Sequence, residues 1–280
     1  MSARGIGDGD EARAPVATAG RAMTAPVRLI GISVADHVAT VTMGMPPMSA
    51  LDLAFFKDLS AMCDELAGSD EIHAVVLAGH GEHWPSTRSD GSELWGRAPS
   101  HEDRDLHLEL ECRAFYKLAA LPQPTVAAIR GDAFGSGFEL ALACDFRIAG
   151  RSARLGLPEV ALGLFPAGGG LARLPMIVGD STAKRLAILG EVVGAREARE
   201  LRLVDDVVPD EAVLERSTAF GLRLAEREPA AVRAIKRILA AQRELSHEEA
   251  LRLIVETALS RDLLDVRARS GEGRADARRK

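Results

Sequence analysis

The sequence predicts an α/β protein, and three observations carry that expectation. Short continuous apolar runs bounded by glycine or proline, such as "IHAVVLAG", "PTVAAIRG" and "CDFRIAG", have the length of buried strands. Longer stretches such as "SALDLAFFKDLSAMCDELAG" carry apolar residues at helical spacing. The two kinds of segment alternate along the chain, the order that builds an α/β core.

Each element has its own signal. "VRLIGISVADHVATVTM" reads as strand, turn, strand, with β-branched residues alternating. The helical stretch that follows ends at Gly68, a natural stop. Beyond the three buried runs, "ARLGLP" predicts a fourth, short strand. "DSTAKRLAILG", "GAREARELRLV" and "EAVLERSTAFGLRLAERE" predict helices, so the C-terminal third from about Asp180 is nearly all helix.

Four regions are expected. Residues 1–25, rich in Ala, Gly and Arg without apolar periodicity, read as a disordered leader. Asp8, Asp10 and Glu11 count against a transit peptide, and Met23 offers an alternative start. Residues 26–205 form the core, 206–268 a helical region too thin to stand alone, and 269–280 a mobile tail. No internal repeat is present in the sequence.

Composition narrows the class. The chain has 280 residues, 47% hydrophobic and 27% charged, as soluble globular proteins do. A net charge of −6 argues against a general nucleic-acid surface. Cys63, Cys112 and Cys144 lie far apart and odd in number, which predicts neither a disulfide framework nor a zinc site and fits a reducing, cytoplasmic setting. No apolar run is long enough to span a membrane.

Several motifs fail on inspection. "VVLAGHGEHW" begins like a dinucleotide fingerprint, but Trp84 replaces the third glycine and no helix pattern follows. "GLFPAGGG" has the glycine spacing of a phosphate loop, but Gly169 and Gly170 stand where Lys and Ser/Thr are needed. "FGSGF" is no nucleophile elbow, because Phe134 and Phe138 occupy the flanking glycine positions. His73, His80, His83, His101 and His107 show no metal-ligand spacing, and no metal is expected.

Two glutamates remain. Glu139 follows the turn "GDAFGSG" in an apolar helical pattern, and Glu159 follows Pro158 after the short strand. Each alone has a plain structural reading: a helix-start acid favoured by the dipole, and a surface loop acid. Together they have a chemical one. A glycine-rich turn entering a helix brings a backbone N–H close to a ligand oxygen, the construction of an oxyanion hole. Two carboxyls beside it form an acid/base pair whose environments set their roles.

At these residues the sequence resembles the crotonase, or enoyl-CoA hydratase/isomerase, superfamily over roughly Val27 to Ser260. The most specific stretches are "PTVAAIRGDAFGSGFELALACDFRIA", "ARLGLPEVALGLFPAGGGLARLPMIVG" and "AREARELRLVDDVVPDEAVLERS", with "EPAAVRAIK" behind them. The resemblance implies the crotonase (ClpP-like) fold: repeated ββα units around a pair of sheets, with C-terminal helices making trimer contacts. It implies an acyl-CoA or pantetheine-bound thioester as substrate, no separate cofactor, and a homotrimer or a dimer of trimers. The Ser136 N–H falls on one oxyanion donor, preceded by Gly135; Glu139 and Glu159 fall on the two catalytic glutamates, with Pro158 beside the second. Hydratases of the family use both glutamates and the isomerases typically keep only the second, so the pair favours hydration. Lys236 falls on a lysine expected near the phosphates or adenine of the coenzyme.

The sequence also departs from the family. Where a stretch like "FSAGADL" carries the other oxyanion donor, this chain has "HWPSTRSDGSELW". A gapless count puts the donor N–H at Arg88, and a four-residue insertion puts it at Ser92. Ser49 replaces the usual Asn and Leu171 the usual Thr, and the C-terminus lacks the aromatic ending. The polar segment from Trp84 to His107 is expected to wall the acyl pocket. The resemblance leaves other enolate reactions (isomerisation, decarboxylation or C–C hydrolysis) and a weakly catalytic thioester-binding role as alternatives.

Overall fold

A computed structural model of the chain describes residues 29–44, 51–81, 83–86, 101–242, 244–260 and 263–264. The leader 1–25, the tail 269–280, Ser49, Arg88 and Ser92 lie outside the described residues.

The chain enters through a hairpin, β1 (Ile30–Ala35) and β2 (Val38–Met43), paired antiparallel with Ala35 opposite Val38. Its two turn residues, Asp36 (φ 48°) and His37 (φ 64°), are both left-handed, the geometry that matches the twist of the flanking strands. From β2 onward the sheet is parallel. β3 (Ala74–Gly79), β4 (Thr125–Ile129), β6 (Phe146–Gly150) and β9 (Asp206–Val208) follow in the order β1-β2-β3-β4-β6-β9. β3 and β4 are buried along nearly their whole length, which is why they read as unbroken apolar runs.

Alternate residues of these strands serve two cores. Val75, Leu77, Ala127 and Ile129 face the larger one, with Phe55, Phe56, Leu59 and Leu66 of α1 (Leu53–Ala67) and Phe115 and Leu118 of α2 (His101–Ala119). Ala74, Val76, Val126 and Ala128 face the smaller one, closed by Val213 and Phe220 of α7 (Val213–Ala225). The N-cap Asp52 starts α1 by accepting from the Phe55 N–H at 2.9 Å.

A second sheet of three short strands, β5 (Ala133–Phe134), β7 (Arg154–Gly156) and β8 (Val192–Gly194), positions the site. β5 and β7 run parallel, so both chains leave the same end. From β5 the chain passes into α3 (Ser136–Leu142), and from β7 into a 3-10 turn, Pro158–Leu162. α4 (Gly170–Val178), α5 (Asp180–Ile188) and α6 (Ala195–Glu200) follow the second exit, and α8 (Pro229–Ala241) and α9 (His247–Ala258) end the described fold.

Two expectations change. β8 and β9 interrupt the stretch expected to be nearly all helix; at three residues each they are too short to carry a period. The boundary expected at 205/206 falls where the main sheet continues, because β9 pairs with β6 and α7 covers the sheet behind it. After α7, the described residues include the helices α8 and α9.

Candidate active site

α3 carries two of the expected residues within one turn. Gly135, at φ 52°, makes the bend that a side-chain-bearing residue resists, and its N–H is fixed to the Gly156 carbonyl at 3.1 Å. Ser136 is the first residue of the helix, so its N–H has no carbonyl one turn back to serve and is available to an oxygen ligand. The turn is braced from the side by the segment leaving β3. The Trp84 indole donates to the Gly137 carbonyl at 2.8 Å, the Phe134 N–H donates to Ser86 Oγ at 2.8 Å, and the Trp84 N–H donates to the Arg130 carbonyl at 2.9 Å. The loop expected to supply the second donor therefore departs from directly beside Ser136.

The far end of α3 is held by Arg147. Its guanidinium, buried, donates to the carbonyls of Ala141, Cys144 and Leu203 at 3.4, 2.7 and 2.7 Å. A cation at a helix C-terminus satisfies carbonyls the helix leaves open.

Glu139 is 1% exposed, and its carboxylate does not face hydrocarbon. Oε2 accepts from the Gly168 N–H at 3.0 Å and Oε1 from the Gly170 N–H at 2.7 Å. The "PAGGG" loop has the spacing of a phosphate cradle, and it cradles this carboxylate at the N-terminus of α4. Glycine is required there by contact: a Cβ at Gly170 would stand 2.8 Å from Glu139 Oε1, and one at Gly168 would stand 2.9 Å from Oε2. Burial pushes the Glu139 carboxyl up, while the two N–H groups and the Arg173 guanidinium pull the other way by favouring its charge.

Glu159 lies in the 3-10 turn after β7, with Pro158 at the first position and Gly163 (φ 72°) closing it. It is 6% exposed, not the surface loop acid of the plain reading, and its Oε2 is buried without a hydrogen-bond partner among the described residues. Burial first, then the Glu139 charge, pushes its carboxyl up to about 7. Glu139 and Glu159, twenty positions apart in sequence, are thus brought within electrostatic reach by the parallel pairing of β5 and β7.

A third glutamate joins them. Glu111 of α2 is 2% exposed, hydrogen-bonds the Ser136 side chain, and is pushed up to about 8 by burial and by the charge of Glu139. Sequence reasoning passed over it, although a signal was there. Glu111 stands three, four and seven positions before Ala114, Phe115 and Leu118, all buried, so it occupies the apolar stripe of its helix. α2 is fastened to the glycine loop by Cys112 Sγ, which donates to the Ala167 carbonyl, and by Arg173, which donates to the carbonyls of Phe115 and Gly168.

Lys236 is not brought to this cluster. Its Nζ donates to Asp145 Oδ2 at 2.6 Å and to the Gln123 carbonyl at 2.9 Å, and Asp145 in turn accepts from the Thr125 N–H. That network lies at the N-terminal end of β4, whereas Gly135 and Ser136 follow its C-terminal end. The lysine is committed to joining α8 to the sheet, so the expected substrate contact gives way to a structural one. Among the described residues no group of His, Cys, Asp and Glu is arranged to hold a metal ion, and no helix is long and apolar enough to cross a membrane.

A family model described as enoyl-CoA hydratase/isomerase matches residues 33–273. A probable enoyl-CoA hydratase of Bacillus subtilis is 34% identical over 225 residues, 80% of this chain and 86% of that protein. The crystal structure of an enoyl-CoA hydratase from Bacillus anthracis superposes with a TM-score of 0.78 at 30% identity, covering 87% of this chain and 96% of that one. Pseudomonas aeruginosa DspI superposes with a TM-score of 0.79 at 31% identity, covering 88% and 100%.

Proposed function

The chain belongs to the enoyl-CoA hydratase/isomerase family and has the crotonase fold, and from that premise we propose that it adds water across the 2,3 double bond of an enoyl thioester. The observation that carries this reading is a pair of buried carboxyls, both pushed up by burial, of which Glu139 has the N–H groups of another loop and a guanidinium to favour its charge. Burial pushes Glu139 up, and against that it receives two backbone N–H bonds and the field of Arg173, which favour the carboxylate. Glu159 has burial and a neighbouring negative charge, which favour the acid. Such a pair assigns base and acid by environment.

The thioester oxygen of an acyl-CoA or pantetheine-bound substrate accepts from the Ser136 N–H and from a second N–H in the loop after Ser86, at Arg88 or Ser92. Glu139 takes a proton from water as the water oxygen bonds the β-carbon. The displaced π electrons reach the thioester oxygen, where the donors stabilise the enolate. Glu159 gives its proton to the α-carbon as the carbonyl re-forms. Pro158 and Gly135 fix the two turns. None of these steps requires a metal or a redox cofactor.

A positioned acid or base is worth about 10²- to 10⁴-fold, so Glu139→Gln and Glu159→Gln are each expected to lower the turnover of crotonyl-CoA by at least that factor. Because the acid must carry its proton, kcat/KM falls as pH rises through about 7, the value to which Glu159 is pushed. One observation favours a second reading. Both Glu139 oxygens already accept backbone N–H groups, which fits an isomerase in which Glu159 alone moves the proton. Under that reading Glu139→Gln leaves double-bond migration intact.

The same family membership leads us to propose a homotrimer. Ile235 and Leu239 on α8, and Leu251, Val255 and Leu259 on and just past α9, are exposed at i, i+4 spacing. Sedimentation is expected to give about three times the 29.8 kDa chain mass or a multiple of that; a monomer at micromolar concentration contradicts it.

A further inference from the structure

The two-glutamate reading gives Glu111 no task, yet the fold spends a buried carboxyl on it. Glu111 Oε1 is fully buried and has no hydrogen-bond partner among the described residues. It faces the same glycine as the base: the point a Cβ would occupy on Gly168 is 2.9 Å from Glu111 Oε1 and 2.9 Å from Glu139 Oε2. Its other contact is the Ser136 side chain, on the residue that offers the oxyanion N–H. An ionised carboxylate here would leave a buried charge facing a second one. A protonated carboxyl turns the same position into a donor aimed at an acceptor.

We propose that Glu111 is a positioning residue of this site, a carboxyl that keeps its proton through turnover and presents it to Glu139, so that the base stays ionised and correctly oriented. This rests on the reading of Glu139 as the base. The groups around Glu111 agree with it. From α3 it faces Glu139 and the Ser136 hydroxyl, and from the 3-10 turn Glu159; Cys112 stands beside it on its own helix, and Arg173 of α4 acts on Cys112 and Glu139. Arg173 acts on Glu139 and donates to the carbonyls of Gly168 and Phe115, while Glu111 Oε1 has no hydrogen-bond partner among the described residues. Burial and the two neighbouring carboxyls push it up to about 8, so it is the acid at neutral pH.

The test is the shape of the pH profile, which a merely structural residue does not move. In wild type, both Glu159 and Glu111 must be protonated, so log kcat/KM is expected to fall at high pH with a limiting slope of about −2, and in Glu111→Gln with a slope of about −1. Gln keeps a donor, so the acid limb and the activity at pH 7 are retained. Glu111→Leu removes the donor, and its acid limb moves to higher pH as Glu139 becomes easier to protonate. The second readout needs no turnover: in a Glu159→Gln background, which removes the other protonated carboxyl, the infrared band of a protonated carboxyl is present at neutral pH and is lost when Glu111→Gln is added. A wild-type slope of about −1 that Glu111→Gln leaves unchanged overturns the proposal. So does a protonated-carboxyl band that survives in the Glu111→Gln, Glu159→Gln double variant. Failure of the base reading itself shows separately, as full hydratase activity in Glu139→Gln.

Discussion

Glu139 and Glu111 are the same anomaly in two helices, a carboxyl on the stripe that should be burying hydrocarbon. One was legible because it follows a glycine-rich turn with a known chemical use; the other lies mid-helix with no turn to draw attention to it. Its consequence can be measured without substrate. The folded-state value of Glu111, about 8, lies above the ordinary 4.5, so between those values the folded protein holds a proton the unfolded chain has released. That contribution is present in full below pH 4.5 and is lost as pH rises to 8, at about 1 kcal/mol per pH unit. Glu111→Gln is therefore expected to gain stability relative to wild type as pH rises from 5 to 8, read as a widening difference in Tm. A constant difference would show that Glu111 is ionised in the folded state. Glu159 was legible as a partner for Glu139, while its burial was not, because three-residue strands and a 3-10 turn leave no periodic trace.

At the scale of elements, the site is a meeting of three turns, each fastened to the next. β5 and β7 deliver Glu139 and Glu159 from one end of the small sheet, and the glycine loop before α4 closes on the first of them. The main strands and α1 were readable from apolar runs and caps, since burial on both faces of a parallel sheet erases alternation and leaves continuous hydrocarbon. The purpose of "PAGGG" was not readable, since the same glycine spacing serves a phosphate or a carboxylate, and only the fold says which anion arrives. Gly168→Ala tests that purpose. Its methyl would meet Glu139 Oε2 and Glu111 Oε1 at 2.9 Å and Phe115 Cδ2 at 3.0 Å, pushing the carboxyls without opening a cavity. The expected result is kcat lower by about 10- to 10²-fold, as misplaced reacting groups produce, with a folded protein and nearly unchanged KM. Unchanged kcat would mean that the loop does not position the base.

For the whole molecule, two cores share one sheet, and the second, smaller sheet carries the turns that bear Glu139 and Glu159. Arg147, buried, and the half-buried Lys236–Asp145 pair join the sheet to α3 and α8, so a lysine that resembles a ligand contact serves the architecture. The exposed apolar stripes of α8 and α9 leave the chain with a surface that a trimer would cover. The central claim is that Glu139 and Glu159 divide base and acid between them in hydration. Its most direct test is the loss of the conjugated-thioester absorbance of crotonyl-CoA, followed with wild type, Glu139→Gln and Glu159→Gln at pH 6.5. The account predicts turnover by wild type that collapses by about 10²-fold or more in both variants. Full activity in Glu139→Gln would contradict it, because the amide cannot take the proton from water.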